Sequence, residues 1–143
     1  MLRSFARRAF PVVAWTFLVA LGVQIFFAGV YVFVGPMTIQ LHRNGAHVIG
    51  LLMFALIASA YIGRVERRDK RATLGILGLL VVQGMLVHVH QWFDMPFIAA
   101  LHPVNAMLMT WAALSLARRS SVYRSSAPEP SHVRAPMAEP AAA

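Results

Sequence analysis

Four stretches of this chain carry no Asp, Glu, Lys or Arg: Phe10–Val34, Asn44–Gly63, Ala72–Gln91 and Met95–Ala117. A helix needs about 20 apolar residues to cross the hydrocarbon core of a bilayer, and each stretch is long enough. Hydrophobic residues make up 59% of the chain and charged residues 13%, against about 25% charged in an ordinary soluble domain. The sequence therefore predicts an all-α integral membrane protein with four spans in one domain over residues 1–119.

Charge placement sets the orientation. Arg3, Arg7 and Arg8 precede the first span, Arg64, Arg67, Arg68, Lys70 and Arg71 separate the second from the third, and Arg118, Arg119, Arg124 and Arg134 follow the fourth. Only Arg43 falls on the other side. Cytoplasmic loops carry the excess of Lys and Arg, so both termini are expected in the cytoplasm, in a multi-pass protein of the cell (inner) membrane. The net charge of +8 is thus spent on orientation and anionic lipid. A nucleic-acid role does not fit, because the basic segments are short loops without a stacking platform. The first apolar run is too long for a signal peptide and no small-residue cleavage site closes it, so it is read as an uncleaved span. With no cysteine, disulfides, thiolate metal sites, iron–sulfur clusters and covalently attached haem are excluded.

Short loops between spans of alternating direction imply an up-down four-helix bundle. Pro96 and Pro103 compete to start span four. Either Pro96 opens the helix with Pro103 inside it, or Met95–Leu101 is a short interfacial segment with His102 at the helix mouth. Gly22, Gly29, Gly45, Gly50, Gly75, Gly78, Gly84, Ala106 and Ala113 are spread along the spans, where small residues let helices approach closely. No convincing internal repeat stands out. Residues 120–143, rich in Ser, Pro and Ala, read as a disordered cytoplasmic tail.

Five of the six histidines gather in one leaflet. Span two enters from outside with His42 and His47, span three ends outside with His88 and His90, and span four starts outside with His102. Ionisable groups at membrane depth are costly unless paired or functional, and neutral imidazole is the commonest metal ligand. Rotation of about 100° per residue keeps His42 and His47 from pointing at one centre without distortion, and one of His88 and His90 is expected to face away from the other. His42 and His102 each begin a face with small residues beneath, and His47, above Gly50, is the best substitute for His42. His88 and His90 remain candidate metal ligands.

Carboxylate-rich di-iron chemistry needs several acids within the bundle, and the only outer acid is Asp94. Zinc catalysis wants three protein ligands and an open position, with no supporting spacing or general base here. Haem b needs two imidazoles from different helices, an apolar slot and a cation for its propionates. His42 and His102 supply the first, and Arg43 could pair with a propionate.

Leu41–Leu52 (LHRNGAHVIGLL) and Leu101–Arg119 (LHPVNAMLMTWAALSLARR) resemble motifs of a family of functionally uncharacterised four-span bacterial membrane proteins. More distantly, the layout is similar to one four-helix half of haem A synthase. That resemblance implies haem facing His42 and His102 near the outer surface, with Arg43 matching the His-Arg pair. Ile39 stands where that family has a glutamate, so haem binding is implied and oxidative haem chemistry is not. Asn105 either orients a ligand or bonds to a neighbouring helix. The expected function is thus a b-type haem protein for electron transfer or haem handling, exchanging with a membrane redox partner. Its rivals are an accessory subunit bound to other subunits of a membrane complex, and a transition-metal carrier or sensor built on His88, His90 and His102.

Overall fold

The computed structural model describes residues 1–125, with the side chains at 90, 91, 124 and 125 outside that description. The expected tail therefore lies outside the described residues from 126 onward. The elements are α1 (Leu2–Val34), a 3-10 turn (Pro36–Thr38), α2 (Ile39–Ile62), α3 (Arg67–Phe93), the one-turn α4 (Pro96–Ala99), α5 (Leu101–Ser120) and the one-turn α6 (Val122–Ser125). Four helical segments, Leu2–Val34, Pro36–Ile62, Arg67–Val89 and Pro96–Ser120, are long and apolar enough to cross a membrane. The protein is an all-α, multi-pass membrane bundle, and the described residues form no strand.

Local chemistry explains where the helices stop. Gly35 ends α1 at φ 133, a conformation that glycine adopts without steric cost, and Pro36 opens the following turn. Asp94 ends α3 with φ 51, a left-handed position that a short polar side chain tolerates. Both competing prolines of span four initiate a helix. Pro96 opens α4, and Pro103 falls in the first turn of α5, where its missing N–H has no intrahelical acceptor to lose. His102 is accordingly the second residue of α5, at the helix mouth.

The bundle closes in the order α1, α2, α3, α5 and back to α1, so α2 and α5 occupy diagonal corners, as do α1 and α3. Its core is built from stripes of alternating four- and three-residue spacing. Phe10, Ala14, Phe17 and Leu21 of α1 meet Ile49, Met53, Leu56 and Ala60 of α2, with Ile76 of α3 and Met109, Ala113 and Leu116 of α5 completing it. Such spacing lets ridges of one helix lie in grooves of the next at shallow angles. These buried residues all belong to the middle of the bundle and to the half that holds the start of α1.

Few of the glycines are interhelical contacts. A β-carbon at Gly22, Gly29, Gly50, Gly75, Gly78 or Gly84 would meet nothing within 4 Å. Close approach occurs at two others: Gly45, against the Gln24 side chain, and Gly63, against the Arg7 backbone. Of the expected small-residue positions Gly45 and Ala113 pack closely, Gly63 adds a close approach that was not expected, and the remaining helix glycines face open space.

The end that holds the start of α1 is tied by a polar latch. Asp69, at the start of α3, is buried. Its carboxylate accepts a hydrogen bond from Tyr123 Oη at 2.8 Å and from Arg119 Nε at 3.4 Å. The Glu66 backbone N–H donates to Tyr123 Oη at 3.3 Å. The Tyr123 ring also packs edge-on against Phe10 and beneath the Arg7 guanidinium. Burial, and after it the bond to Asp69, pushes the Tyr123 phenol up to about 12. The segment just after span four is therefore ordered as far as α6, and Tyr123 fastens α1, the α2–α3 loop and α3 together.

Candidate functional site: two imidazoles on diagonal helices

Moving outward from the core, each stripe changes from apolar to polar. The position after Leu21 on α1 is Gln24, and the stripe of α2 leads from Ile49 through Gly45 to His42. That of α3 leads from Ile76 to Gln83, and that of α5 leads from Met109 through Asn105 to His102. The polar side chains thus occupy interior-facing positions of an otherwise apolar bundle. Polar groups at membrane depth face the bundle interior and pair with each other or with backbone carbonyls. Here they do both.

His42 and His102 come together. Their ring centroids are 6.2 Å apart with planes inclined at 62°, although α2 and α5 are diagonal neighbours. Each ring is anchored by the helix at its side. His42 Nδ1 lies 3.2 Å from the Gln24 carbonyl on α1, and His102 Nδ1 lies 3.3 Å from the Gln83 carbonyl on α3. A carbonyl oxygen can only accept, so both contacts require Nδ1 to carry the proton. In the neutral rings both Nε2 atoms are then unprotonated, which is the tautomer a metal-ligating histidine presents when its other nitrogen is tied to a carbonyl.

A second set of bonds holds the anchors. Gln24 Nε2 donates to the His42 backbone carbonyl at 2.6 Å, and the absence of a side chain at Gly45 gives the Gln24 amide its place. Asn105, 7% exposed, donates to the Leu79 carbonyl at 2.9 Å and to Gln83 Oε1 at 2.6 Å. It binds the neighbouring helix, the structural one of its two expected roles. Both glutamines were visible in the sequence as amides inside spans. Their backbone carbonyls as partners of histidines were not, because no side-chain pattern signals a main-chain acceptor.

The other expected ligands do not join this pair. His47 is exposed and its Nδ1 bonds to the Arg43 carbonyl one turn back at 3.0 Å. His88 is exposed, bonds to the Gly84 carbonyl at 2.8 Å and packs against Trp92. It also sits five residues beyond Gln83, about 8 Å farther along the helix at 1.5 Å per residue. The side chain of His90 lies outside the described residues. Arg43 is exposed beside His42, and no hydrogen bond or cation–π contact joins its side chain to the imidazole pair. Among the described residues, no three His, Asp or Glu side chains gather as a metal-binding group. Among the described residues, the site brings two imidazoles together.

Residues 24–91 match the model of a family of unknown function (DUF6220). The matched segment begins at Gln24 and includes His42 and Gln83 but stops short of His102. No curated protein and no solved structure matches the chain, so the likeness to haem A synthase has no counterpart in these comparisons.

Proposed function

We propose that the protein binds haem b between His42 and His102 near the outer face, for electron transfer or haem handling in the inner membrane. The observation that carries this reading is the 6.2 Å separation of two imidazoles held as Nδ1–H tautomers from diagonal helices. A metal–imidazole bond is about 2.0–2.1 Å and a ring nitrogen lies about 1.1 Å from its ring centre, so rings gripping one metal from opposite sides have centroids about 6.3 Å apart. The centroid spacing matches that of a bis-imidazole centre. The donor set also suits haem better than a bare catalytic metal, which wants a third protein ligand.

Bound there, the iron would supply one-electron chemistry at a potential set by its axial ligands and burial. The chain's own contribution is positional. The Gln24 and Gln83 carbonyls orient the rings and raise their basicity, the stripe residues Leu21, Ile49 and Met109 form an apolar floor, and exposed Arg43 is a cation for propionates at the outer surface. Electron exchange would be with a membrane redox partner.

A second reading, a non-catalytic subunit of a membrane complex, is favoured by the same bonds seen differently. The histidine–carbonyl contacts and the Gln24 and Asn105 amides join α1 to α2 and α3 to α5, as helix-locking groups would.

An absorption spectrum of the purified protein, before and after haemin is added, separates the two. The haem reading expects a Soret band with sharp reduced α and β bands, lost in His42→Ala and in His102→Ala while the helical content is kept. Failure of the wild-type protein to acquire a Soret band, together with lowered thermal stability in both variants, would leave the locking role alone.

A further inference from the structure

The bundle is two copies of one arrangement. In the hairpin of α1 and α2, the carbonyl of Gln24 takes Nδ1–H of a histidine 18 residues later; in the hairpin of α3 and α5, that of Gln83 takes Nδ1–H of a histidine 19 residues later. The local sequences correspond: Val23-Gln24 with Val82-Gln83, and Leu41-His42 followed by Ala46 with Leu101-His102 followed by Ala106. Three residues after each histidine the copies differ. Gly45 leaves room for the Gln24 amide to reach the His42 carbonyl, whereas Asn105 fills the equivalent place and takes the Gln83 amide oxygen itself. Each glutamine amide is satisfied, by opposite means.

We infer that Gln24, Gln83 and Asn105 are positioning residues that hold His42 and His102 in the Nδ1–H tautomer and so offer both Nε2 lone pairs to one shared ligand atom. Three observations converge on this. The free histidine side chain favours the Nε2–H form, and the acceptors that invert this pair lie on neighbouring helices, α1 and α3, whereas His47 and His88 use carbonyls of their own helices one turn back. The acceptors are main-chain carbonyls on rigid helices, which cannot turn away from the ring as a hydroxyl can. Their helices are in turn strapped, α1 to α2 by Gln24 and α3 to α5 by Asn105, which bonds to both Leu79 and Gln83. The tautomers follow from this geometry alone; the identity of the ligand as haem iron rests on the function proposed above.

The test reads tautomers directly, by nitrogen NMR of histidine-labelled protein without added haem, at mildly alkaline pH so that the rings are neutral. The expected wild-type spectrum has His42 and His102 unprotonated at Nε2, and His42→Ala and His102→Ala assign the signals. Asn105→Leu should return His102 toward the free-imidazole tautomer and leave His42 unchanged. Gln24→Leu should do the reverse, and Asn105→Ser, which keeps a donor, should restore much of the wild-type pattern. Haem affinity in the leucine variants should fall about 10- to 100-fold, the usual effect of removing a partner that orients a metal ligand. Gln83→Leu, which removes only the amide that Asn105 grips, is a second probe of His102 should Asn105→Leu not fold. Wild-type rings protonated at Nε2, or a His102 signal indifferent to both Asn105→Leu and Gln83→Leu, would overturn the inference. Inverted tautomers in a protein that takes up no haem would leave the positioning intact and remove the haem reading.

Discussion

Gly45→Ala is the substitution whose outcome best separates packing from positioning. A β-carbon at Gly45 would collide with Gln24 Oε1 and come within 3.2 Å of Gln24 Cδ, with Phe27 at an ordinary 3.5 Å. Alanine within a helix is favoured over glycine by about 0.8–1 kcal/mol. Overpacking costs about 1–3 kcal/mol, and the low end applies here because the obstructing atoms are the tip of a flexible side chain. Displacing that tip also breaks the 2.6 Å bond from Gln24 Nε2 to the His42 carbonyl, worth about 1 kcal/mol net. The propensity gain offsets one of the two losses, so folding stability should fall by only about 1 kcal/mol. The positioning effect has nothing to offset it. With the strap between α1 and α2 lost, His42 should lose its fixed tautomer, and haem affinity should fall about 10- to 100-fold.

Denaturation of the detergent-solubilised protein measures the first quantity, and haemin titration followed at the Soret band measures the second. A loss of more than about 2 kcal/mol would mean that the alanine forces α1 and α2 apart, so that Gln24 is not the part that yields. Unchanged haem affinity at unchanged stability would refute the role given to the Gln24 strap.

Gly63→Ala should behave oppositely. Its β-carbon would lie 2.8 Å from both the N and Cα of Arg7 and 2.6 Å from the Ser59 carbonyl. Backbone cannot swing aside, so a destabilisation of about 2 kcal/mol or more is expected in the same denaturation assay, with the imidazole pair unaffected in refolded material. Asp69→Leu removes the acceptor of Tyr123 and Arg119. Because the Arg119 side chain is 32% exposed and can turn to water, the cost should be about 2–3 kcal/mol, below the 3–5 of a fully buried broken pair. The Tyr123 phenol predicts an alkaline effect. Its folded value of about 12 lies above the ordinary 10.0, so its contribution is complete below pH 10 and is lost as pH rises through about 12. Thermal melts across that window should show a decline in wild type that is smaller in Tyr123→Phe.

The four spans and the helical class were legible because uncharged length is a coarse signal that tertiary packing cannot override. The meeting of His42 with His102 was legible for a related reason: helical rotation separates His42 from His47, and His47 is indeed exposed. Three features escaped the sequence. The Gln24 and Gln83 carbonyls are main-chain groups, present at every residue and marked by none. The repeat of the two hairpins was hidden because only a few dipeptide-scale matches survive in an apolar background where chance similarity is common. The Asp69–Tyr123 bond joins two segments that read as a charged loop and the beginning of a tail, and nothing in either predicts the other. Proline offered two starts for span four, and both were used, since each falls within a first turn and costs no hydrogen bond.

The two ends of the bundle divide the work in a way that makes the site variants interpretable. Every large side chain with less than 2% exposure, from Phe10 to Leu116, lies below the imidazole layer, and the Asp69 latch closes the opposite end from it. Folding free energy is therefore concentrated away from His42 and His102. Replacing either ring removes one half-buried side chain and one hydrogen bond to a carbonyl, about 1 kcal/mol, and leaves the stripes intact. A bundle so constructed can keep polar groups in the imidazole half without depending on them for its fold. If that division is real, Asp69→Leu should lower stability while leaving haem affinity of the folded fraction unchanged, and His102→Ala should do the opposite. A protein in which both substitutions move both quantities together would have a single cooperative polar framework instead, with the imidazole pair among its structural members.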